Sequence, residues 1–250
     1  MIYILLSLTL IAGIVIRWLV AHLPIILHKS WREECIAYLQ GTHPSVLNTA
    51  IESTSEKPKI KWWRYLPFSS VKLLALDCVL FASSLLVFYQ VDGYLYWGSG
   101  LLFTWILITS SIIDFEHQIL PDELTYILLW TGLLCSCWNL YTYSTGAILG
   151  ALIAYLSLFT ISLLFKLIRK KDGIGQGDLK LFAAIATWTG FTYLPFILFL
   201  ASVFSLIYIL LRKIISGKPF SAPASFGPFL ALSGWLILLW GRNIASYILT

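Results

Sequence analysis

The chain has 250 residues, of which 59% are hydrophobic and only 12% are charged. Soluble domains are about 45 to 50% apolar and about 25% charged, and apolar surface in water costs free energy in proportion to its area. The composition therefore excludes soluble, disordered and fibrous proteins and predicts an integral membrane protein. The net charge of +5 does not indicate a nucleic-acid partner, because the basic residues lie between apolar runs rather than on one exposed face.

About eight apolar segments predict an all-α, polytopic membrane protein with about eight transmembrane helices. A helix needs about 20 apolar residues to cross the hydrocarbon core, and it satisfies its own backbone polar groups there. In chain order, the predicted spans are residues 2–27, 71–91, 95–113, 123–141, 145–168, 179–193, 194–215 and 227–248. The polar segment 28–68 is predicted to be a loop with short helical pieces.

The basic residues predict the orientation of these spans. Fifteen of the seventeen Lys and Arg residues fall in the segments 28–72, 166–180 and 212–218. Threading eight spans places all three segments on one side, which the positive-inside rule identifies as the cytoplasm. The connection Asp114–Glu123 lies on the same side but has four acids and no Lys or Arg. The positive-inside rule does not explain these four acids, which favours a functional role for them.

Two acidic residues are the candidates for catalysis. Asp114 ends the third predicted span and Asp178 begins the sixth, so both lie at the cytoplasmic edge of the membrane and can meet. Two carboxylates close together in a poorly hydrated place share a proton over a wide pH range. One then acts as a base and the other as an acid, which is what peptide-bond hydrolysis needs. This chemistry requires no metal and no cofactor.

Three glycines precede the second acid, in the sequence Gly173-Ile-Gly-Gln-Gly-Asp178. Residues without a side chain allow a substrate backbone to approach the acid closely, so Gly173, Gly175 and Gly177 are candidates for substrate approach. The acids also have simpler structural explanations. Asp178 and Asp122 are both placed to cap the N-terminus of a helix.

The acidic motifs resemble those of type IV prepilin peptidases, the membrane aspartic proteases that remove leaders from type IV pilin and type II secretion pseudopilin precursors. The resemblance rests on the segments Ile113–Thr125, Gly173–Leu181 and Ser225–Ala231. It implies an enzyme of the bacterial inner membrane with its active site facing the cytoplasm, with prepilin and pseudopilin precursors and membrane lipid as its partners. It also implies that Asp114 and Asp178 are the catalytic residues. Glu116 stands where the family commonly has Asp, and Asp122 matches a frequent but non-catalytic acid. The residues with an implied supporting role are Glu116, Asp122, Lys180, Gly173, Gly175 and Gly177.

The first third of the chain departs from this family. Many members have two CxxC pairs that hold zinc and a Gly-Ser-Phe-Leu-Asn stretch in the first span, and they methylate the new amino terminus. Here the four cysteines form no CxxC pair, and Gly13 is followed by Ile, Val, Ile and Arg17. We therefore expect no zinc, and weak or absent methyl transfer from S-adenosylmethionine. The predicted domains are 1–70, a first span with a degenerate methyltransferase-like loop, and 71–250, a membrane-embedded peptidase domain.

Three other functions compete with a prepilin peptidase. A proton-coupled transporter or channel would relay ions through Asp77, Asp114 and Asp178; it would show paired repeats and acids near mid-span, and the sequence has neither. In such a transporter Asp77 would relay protons, whereas its place near the end of the second span favours a hydrogen bond to a neighbouring helix. Another membrane protease with a Gly-x-Gly-Asp motif is the second alternative. The third is a non-catalytic assembly factor, against which the retained aspartates and glycines argue.

Overall fold

The computed structural model describes residues 2–42, 71–91, 93–170, 173–216 and 225–248. Within these ranges the chain forms α-helices joined by short turns, without strands. The eight helices are α1 (Ile2–Thr42), α2 (Val71–Gln90), α3 (Tyr94–His117), α4 (Asp122–Cys137), α5 (Ser144–Arg169), α6 (Gln176–Thr189), α7 (Leu194–Ser216) and α8 (Gly227–Ile248), with a 3₁₀-helix at Phe191–Tyr193 before α7. Each predicted span coincides with one helix, so the all-α prediction is confirmed.

Several of these helices have the length and composition of membrane spans. In the part of the chain that the structure describes, four stretches are long and apolar enough to cross a bilayer: Leu5–Trp31, Tyr94–His117, Ser144–Arg169 and Phe191–Ile215. Helix α6 is shorter than its predicted span, since 14 residues at about 1.5 Å each reach about 21 Å, against about 30 Å of hydrocarbon. The chain is thus a multi-pass membrane protein in which α6 is a short inner helix.

Helix α1 is longer than predicted. The polar sequence from residue 28 onward was expected to form a loop with short helical pieces, but the first helix continues without a break to Thr42. Between His28 and Gln40 the chain has no glycine or proline, and these residues are what most disfavours a helix interior. Lys29 and Glu33 form an ion pair one turn apart at 3.7 Å, which adds a little support. The rest of the predicted loop, 43–68, lies outside the described residues.

The chain divides into two compact units, Met1–Val79 and Leu80–Thr250. In the first unit, Arg17 of α1 forms an ion pair with Asp77 of α2, and both side chains are largely buried. Of the two roles considered for Asp77, this contact favours the structural one, because a buried charge needs a partner. The division between the units falls inside α2, whereas the predicted domain boundary precedes it. The methyltransferase-like character of residues 1–70 stays a prediction.

Helix α6 is the core of the second unit. Every residue from Leu181 to Thr189 is buried, and a helix that is apolar on all sides belongs in a core. Helices α4, α5 and α8 pack around it. The outer face of α5 instead exposes large apolar side chains such as Leu152 and Leu156, as expected for a surface in contact with lipid. Burial of α6 fixes its first turn, which carries Asp178.

Two tryptophans tie the helices of this unit together through polar contacts. The Trp188 Nε1 of α6 donates a hydrogen bond to the backbone oxygen of Leu128 in α4, at 2.8 Å. The Trp235 Nε1 of α8 donates one to Thr104 Oγ1 in α3, at 3.0 Å. Buried indole N–H groups need such acceptors, so these bonds help to fix the position of each helix against its neighbour.

Candidate active site

Asp114 and Asp178 line the same cavity, which has a volume of about 800 Å³. Its walls come from α3, α5, α6 and α7 and from the segments that lead into α4, α6 and α8. The lining side chains include apolar residues of several helices together with the two acids, a glutamine and three serines. The lining residues are Asp114, Gln118, Leu120, Leu158, Ile161, Gly173, Ile174, Gly175, Gly177, Asp178, Leu198, Phe199, Ser202, Ser205, Ser225 and Phe226.

Asp114 lies in the last turn of α3 and is 5% exposed. Its backbone oxygen accepts a hydrogen bond from the Gln118 amide at 2.9 Å, and Gln118 adopts the left-handed conformation that ends the helix. The carboxylate Oδ2 is buried and has no hydrogen-bond partner in the described part of the chain. It faces Gly227 at the start of α8. The helix end thus delivers a buried, reactive carboxylate to the cavity wall.

Asp178 lies in the first turn of α6 and is 9% exposed. Burial is the main cause that raises the pKa of Asp178 from 3.8 to about 7, and the nearby Asp114 raises it further, whereas the backbone amide of Gly175 opposes the shift. Both causes disfavour the charged carboxylate. Near neutral pH, Asp178 therefore keeps a proton that it can donate.

The helix-capping explanation of the acids is wrong for both of its candidates. Helix α6 has Gly175 as its N-cap and α4 has Pro121, and neither helix has a side-chain capping bond. Asp178 and Asp122 lie inside the first turns instead. The position of Asp178 in the cavity wall needs an explanation other than the helix terminus.

All three predicted glycines line the cavity, and each is also closely packed. A Cβ at Gly175 would lie 3.3 Å from Asp178 Oδ2, and one at Gly177 would lie 2.8 Å from the Cβ of Leu120. A Cβ at Gly173 would meet the Phe165 ring. The absent side chains thus serve the packing of the site as well as any approach of a substrate backbone.

Asp122 and Lys180 form an ion pair beside the cavity instead of lining it. The Lys180 Nζ donates to both carboxylate oxygens of Asp122, at 2.7 and 2.6 Å, and so joins α6 to α4. This hydrogen bond raises the pKa of Lys180. Both side chains are partly exposed, so the pair holds two helices that carry site residues. Glu116 is exposed and does not line the cavity; its Oε2 lies 4.0 Å from His117 Nε2.

The structure adds residues to the site that the sequence did not indicate. Gln118, Ser202, Ser205 and Ser225 contribute polar groups to the cavity, and Gly227 contacts Asp114. Ser202 and Ser205 are three residues apart, which places them on one helix face. That spacing was the available signal, but serines inside an apolar run are too common to single out.

The structure offers no evidence for a metal site in the ranges it describes. No group of three or more His, Cys, Asp or Glu side chains there could hold an ion. The expectation about zinc falls mainly on residues 28–68, and the side chains of Cys35 and His43 lie outside the described residues. That expectation stays a prediction.

Comparison with known proteins identifies relatives along the whole chain. Residues 101–210 match the type IV leader peptidase family. The prepilin leader peptidase/N-methyltransferase of Dichelobacter nodosus is 42% identical over 71% of this chain and 60% of that protein. The proteins of that name from Pseudomonas aeruginosa and Stutzerimonas stutzeri are 34% and 32% identical, over 94% and 97% of this chain and 89% and 92% of theirs.

No solved structure matches the chain. The assignment therefore rests on sequence, and the matched segment contains both Asp114 and Asp178. Similarity at this level over nearly the full length of two chains does not arise from shared hydrophobic composition alone. This protein belongs to the type IV leader peptidase family.

Proposed function

We propose that this protein is an aspartic endopeptidase that removes leader peptides from type IV prepilins and type II secretion pseudopilins. We place it in the bacterial inner membrane with its active site at the cytoplasmic face. The observation that carries the proposal is that two buried carboxylates, Asp114 and Asp178, line one cavity. The relatives named prepilin leader peptidase support the substrate class.

The two carboxylates have different surroundings, which suggests different roles. Asp178 keeps its proton to about neutral pH and serves as the acid. The Asp114 carboxylate lies next to Gly227, the first residue of α8, and the positive end of a helix favours an ionised carboxylate. Asp114 therefore serves as the base.

Hydrolysis follows from these roles. Asp114 takes a proton from a water molecule as the water oxygen bonds to the scissile carbonyl carbon, and Asp178 donates its proton to the carbonyl oxygen. The tetrahedral intermediate then collapses as its C–N bond breaks. Asp114 returns a proton to the leaving nitrogen, and Asp178 recovers its proton from the hydroxyl. Both carboxylates are buried, and electrostatic interactions are stronger in such surroundings than in water.

The cavity suits an extended peptide segment with apolar side chains. Leu158, Ile161, Leu198 and Phe199 form an apolar wall, on which such side chains can be buried. The glycine segment at 173–177 forms another part of the wall, where a substrate backbone can approach Asp178. An extended peptide with apolar side chains therefore fits this surface.

The transporter alternative loses support at Asp77. Its carboxylate forms an ion pair with Arg17 of α1, which gives it a structural role in joining two helices. Methyl transfer remains the open part of the activity. The relatives carry N-methyltransferase in their names, whereas the sequence of residues 13–70 leads us to expect weak or absent methylation.

One assay tests the proposal. The purified protein in detergent is incubated with a full-length prepilin, and leader release is followed by the change in mass. We expect cleavage at a single bond by the native protein. No release by a folded protein, with an authentic prepilin that a known relative cleaves, would contradict the proposal. The same mass spectra, recorded with S-adenosylmethionine present, report whether a methyl group is added to the new amino terminus.

A further inference from the structure

The segment Ser225–Ala231 was singled out in the sequence, and its glycine lies next to Asp114 in the structure. Gly227 is the first residue of α8. A Cβ placed there would lie 2.5 Å from Asp114 Oδ2 and 3.1 Å from Leu120 Cδ1. The first distance is shorter than a carbon and an oxygen can tolerate, so only glycine leaves the Asp114 carboxylate where it is.

The backbone of this segment also directs one amide at Asp114. Pro228 has no N–H, and the amides of Phe229 and Leu230 both donate to the Phe226 oxygen, at 3.1 and 3.2 Å. The amide of Gly227 is thereby left to face the Asp114 carboxylate. The Asp114 Oδ2 atom is buried and has no hydrogen-bond partner among the described residues, and it is the carboxylate atom nearest to where a side chain at residue 227 would begin.

Leu120 completes this packing. Its side chain lies against Gly227 on one side and against Gly177 on the other, where a Cβ would be 2.8 Å from the Leu120 Cβ. The Gly177 segment carries Asp178 one residue later. Leu120 therefore packs against both glycines, each of which is next to one of the acids.

We propose that Gly227 is a positioning residue for Asp114: its missing side chain leaves the carboxylate the space at the cavity wall in which it is oriented to accept the proton of water. The proposal rests on the proposed peptidase function and adds α8 to the machinery. Gly227 does not touch the reacting atoms and acts through Asp114.

Gly227→Ala tests the proposal. A carboxylate displaced by about 1 Å costs roughly 100-fold in rate, so kcat should fall by about that factor. KM should change by no more than about twofold, because the substrate-binding walls are unchanged and only the chemical step is affected. Gly98→Ala is the matched control, since a Cβ at Gly98 meets nothing within 4 Å; it should cleave prepilin at the native rate. If the wild-type protein and Gly98→Ala both fail to cleave prepilin, the proposed peptidase function is wrong. If both cleave prepilin and Gly227→Ala keeps the native kcat, only the inference about Gly227 is wrong.

A second pair of variants separates positioning from crowding of Leu120. Leu120→Ala relieves one of the two contacts made by a new Cβ at residue 227 and leaves the contact with Asp114. We expect Gly227→Ala/Leu120→Ala to remain roughly 100-fold below Leu120→Ala alone in kcat, with similar KM and a similar elution profile in detergent. Recovery to the rate of Leu120→Ala would overturn the proposal, as would native kcat in Gly227→Ala or a loss expressed only in KM. If Gly227→Ala alone does not accumulate in the membrane, the double variant can still be compared with Leu120→Ala.

Discussion

Asp114 and Asp178 are buried acids that line the cavity, whereas Glu116, Asp122 and Glu123 are exposed or partly exposed. Burial makes ionisation of a carboxylate costly, and a pair that shares one cavity has a second reason to keep one proton. The chemistry of the site is therefore set by where these two side chains lie, and the remaining acids of the same connection have other surroundings.

Replacing either acid by asparagine should abolish leader cleavage. Asparagine keeps the shape of aspartate but exchanges no proton, and acid–base groups contribute roughly 100- to 10,000-fold to rate. Asp114→Asn/Asp178→Asn should be hardly worse than either single variant, because a unit fails when one member is lost. Rates of prepilin cleavage, with membrane levels checked by immunoblot, measure this effect. Full activity in either single variant would refute the dyad.

Asp122→Asn is the matched control for the dyad variants. It removes a charge from the same connection but leaves the cavity wall intact, since Asp122 is bound to Lys180 outside it. We expect a modest loss of activity and a lower thermal stability. A loss as complete as that of Asp114→Asn would give Asp122 a direct role in the chemistry.

Cleavage should weaken as the pH rises above about 7. The pKa of Asp178 is raised to about 7, by burial first and then by Asp114, so its proton is present below that pH and is lost above it. Without the proton there is no acid for the carbonyl oxygen, and the rate should fall by about tenfold per pH unit on the alkaline side. The raised pKa also lowers stability in that range, so helical content is recorded at each pH. A rate that stays constant to about pH 9 in folded protein would contradict this assignment.

At the scale of the element, α6 is held by close approach of its neighbours. Its alanines and the glycines of α4 and α5 let backbones come together, which is a common way to pack helices in membranes. A Cβ at Gly150 of α5 would lie 2.9 Å from the Ala186 oxygen and 3.1 Å from the Phe191 amide nitrogen. Backbone atoms cannot rotate away, so any side chain at this position must push the helices apart.

Gly150→Val should therefore destabilise the protein by about 1 to 3 kcal/mol, the usual cost of overpacking. Thermal unfolding in detergent, followed by circular dichroism, measures the change. Gly98→Val carries the same change in helix propensity at a position with nothing within 4 Å, so its unfolding midpoint should stay close to that of the native protein. Equal effects of the two substitutions would show that propensity, and not helix packing, is responsible.

At the scale of the whole molecule, the positions of the basic residues predict the orientation in the membrane. Reporters fused after residues 55, 172 and 217 should behave as cytoplasmic, and reporters after Gly93 and Tyr143 as periplasmic. The last two positions precede α3 and α5, so the reporters sample opposite ends of described helices. Activity of alkaline phosphatase and fluorescence of a cytoplasm-specific reporter measure the two sides. A periplasmic signal after residue 172 would move the Asp178 end of α6 to the wrong face.

The sequence by itself determined the class of the protein, its helices and its two central acids. Hydropathy is a local property, and lipid forces each apolar segment to satisfy its own backbone, so composition was sufficient to predict eight helices. The end of α1 was missed because polarity suggested a loop, whereas residues 28–40 contain no glycine or proline, the residues that most disfavour a helix interior. The acids could be found because their motifs resemble those of a family that uses them.

Only the tertiary structure decided what surrounds those acids. The contact of Gly227 with Asp114 joins residues far apart in the chain, and no local pattern links them. The Asp122–Lys180 pair likewise depends on how α4 packs against α6. The same packing places Asp178 in the cavity wall and Asp122 beside the cavity. Spacing along a helix shows which residues share a face. Burial of a side chain and its proximity to another helix arise only when the helices pack together. Burial and the nearby Asp114 are what raise the pKa of Asp178.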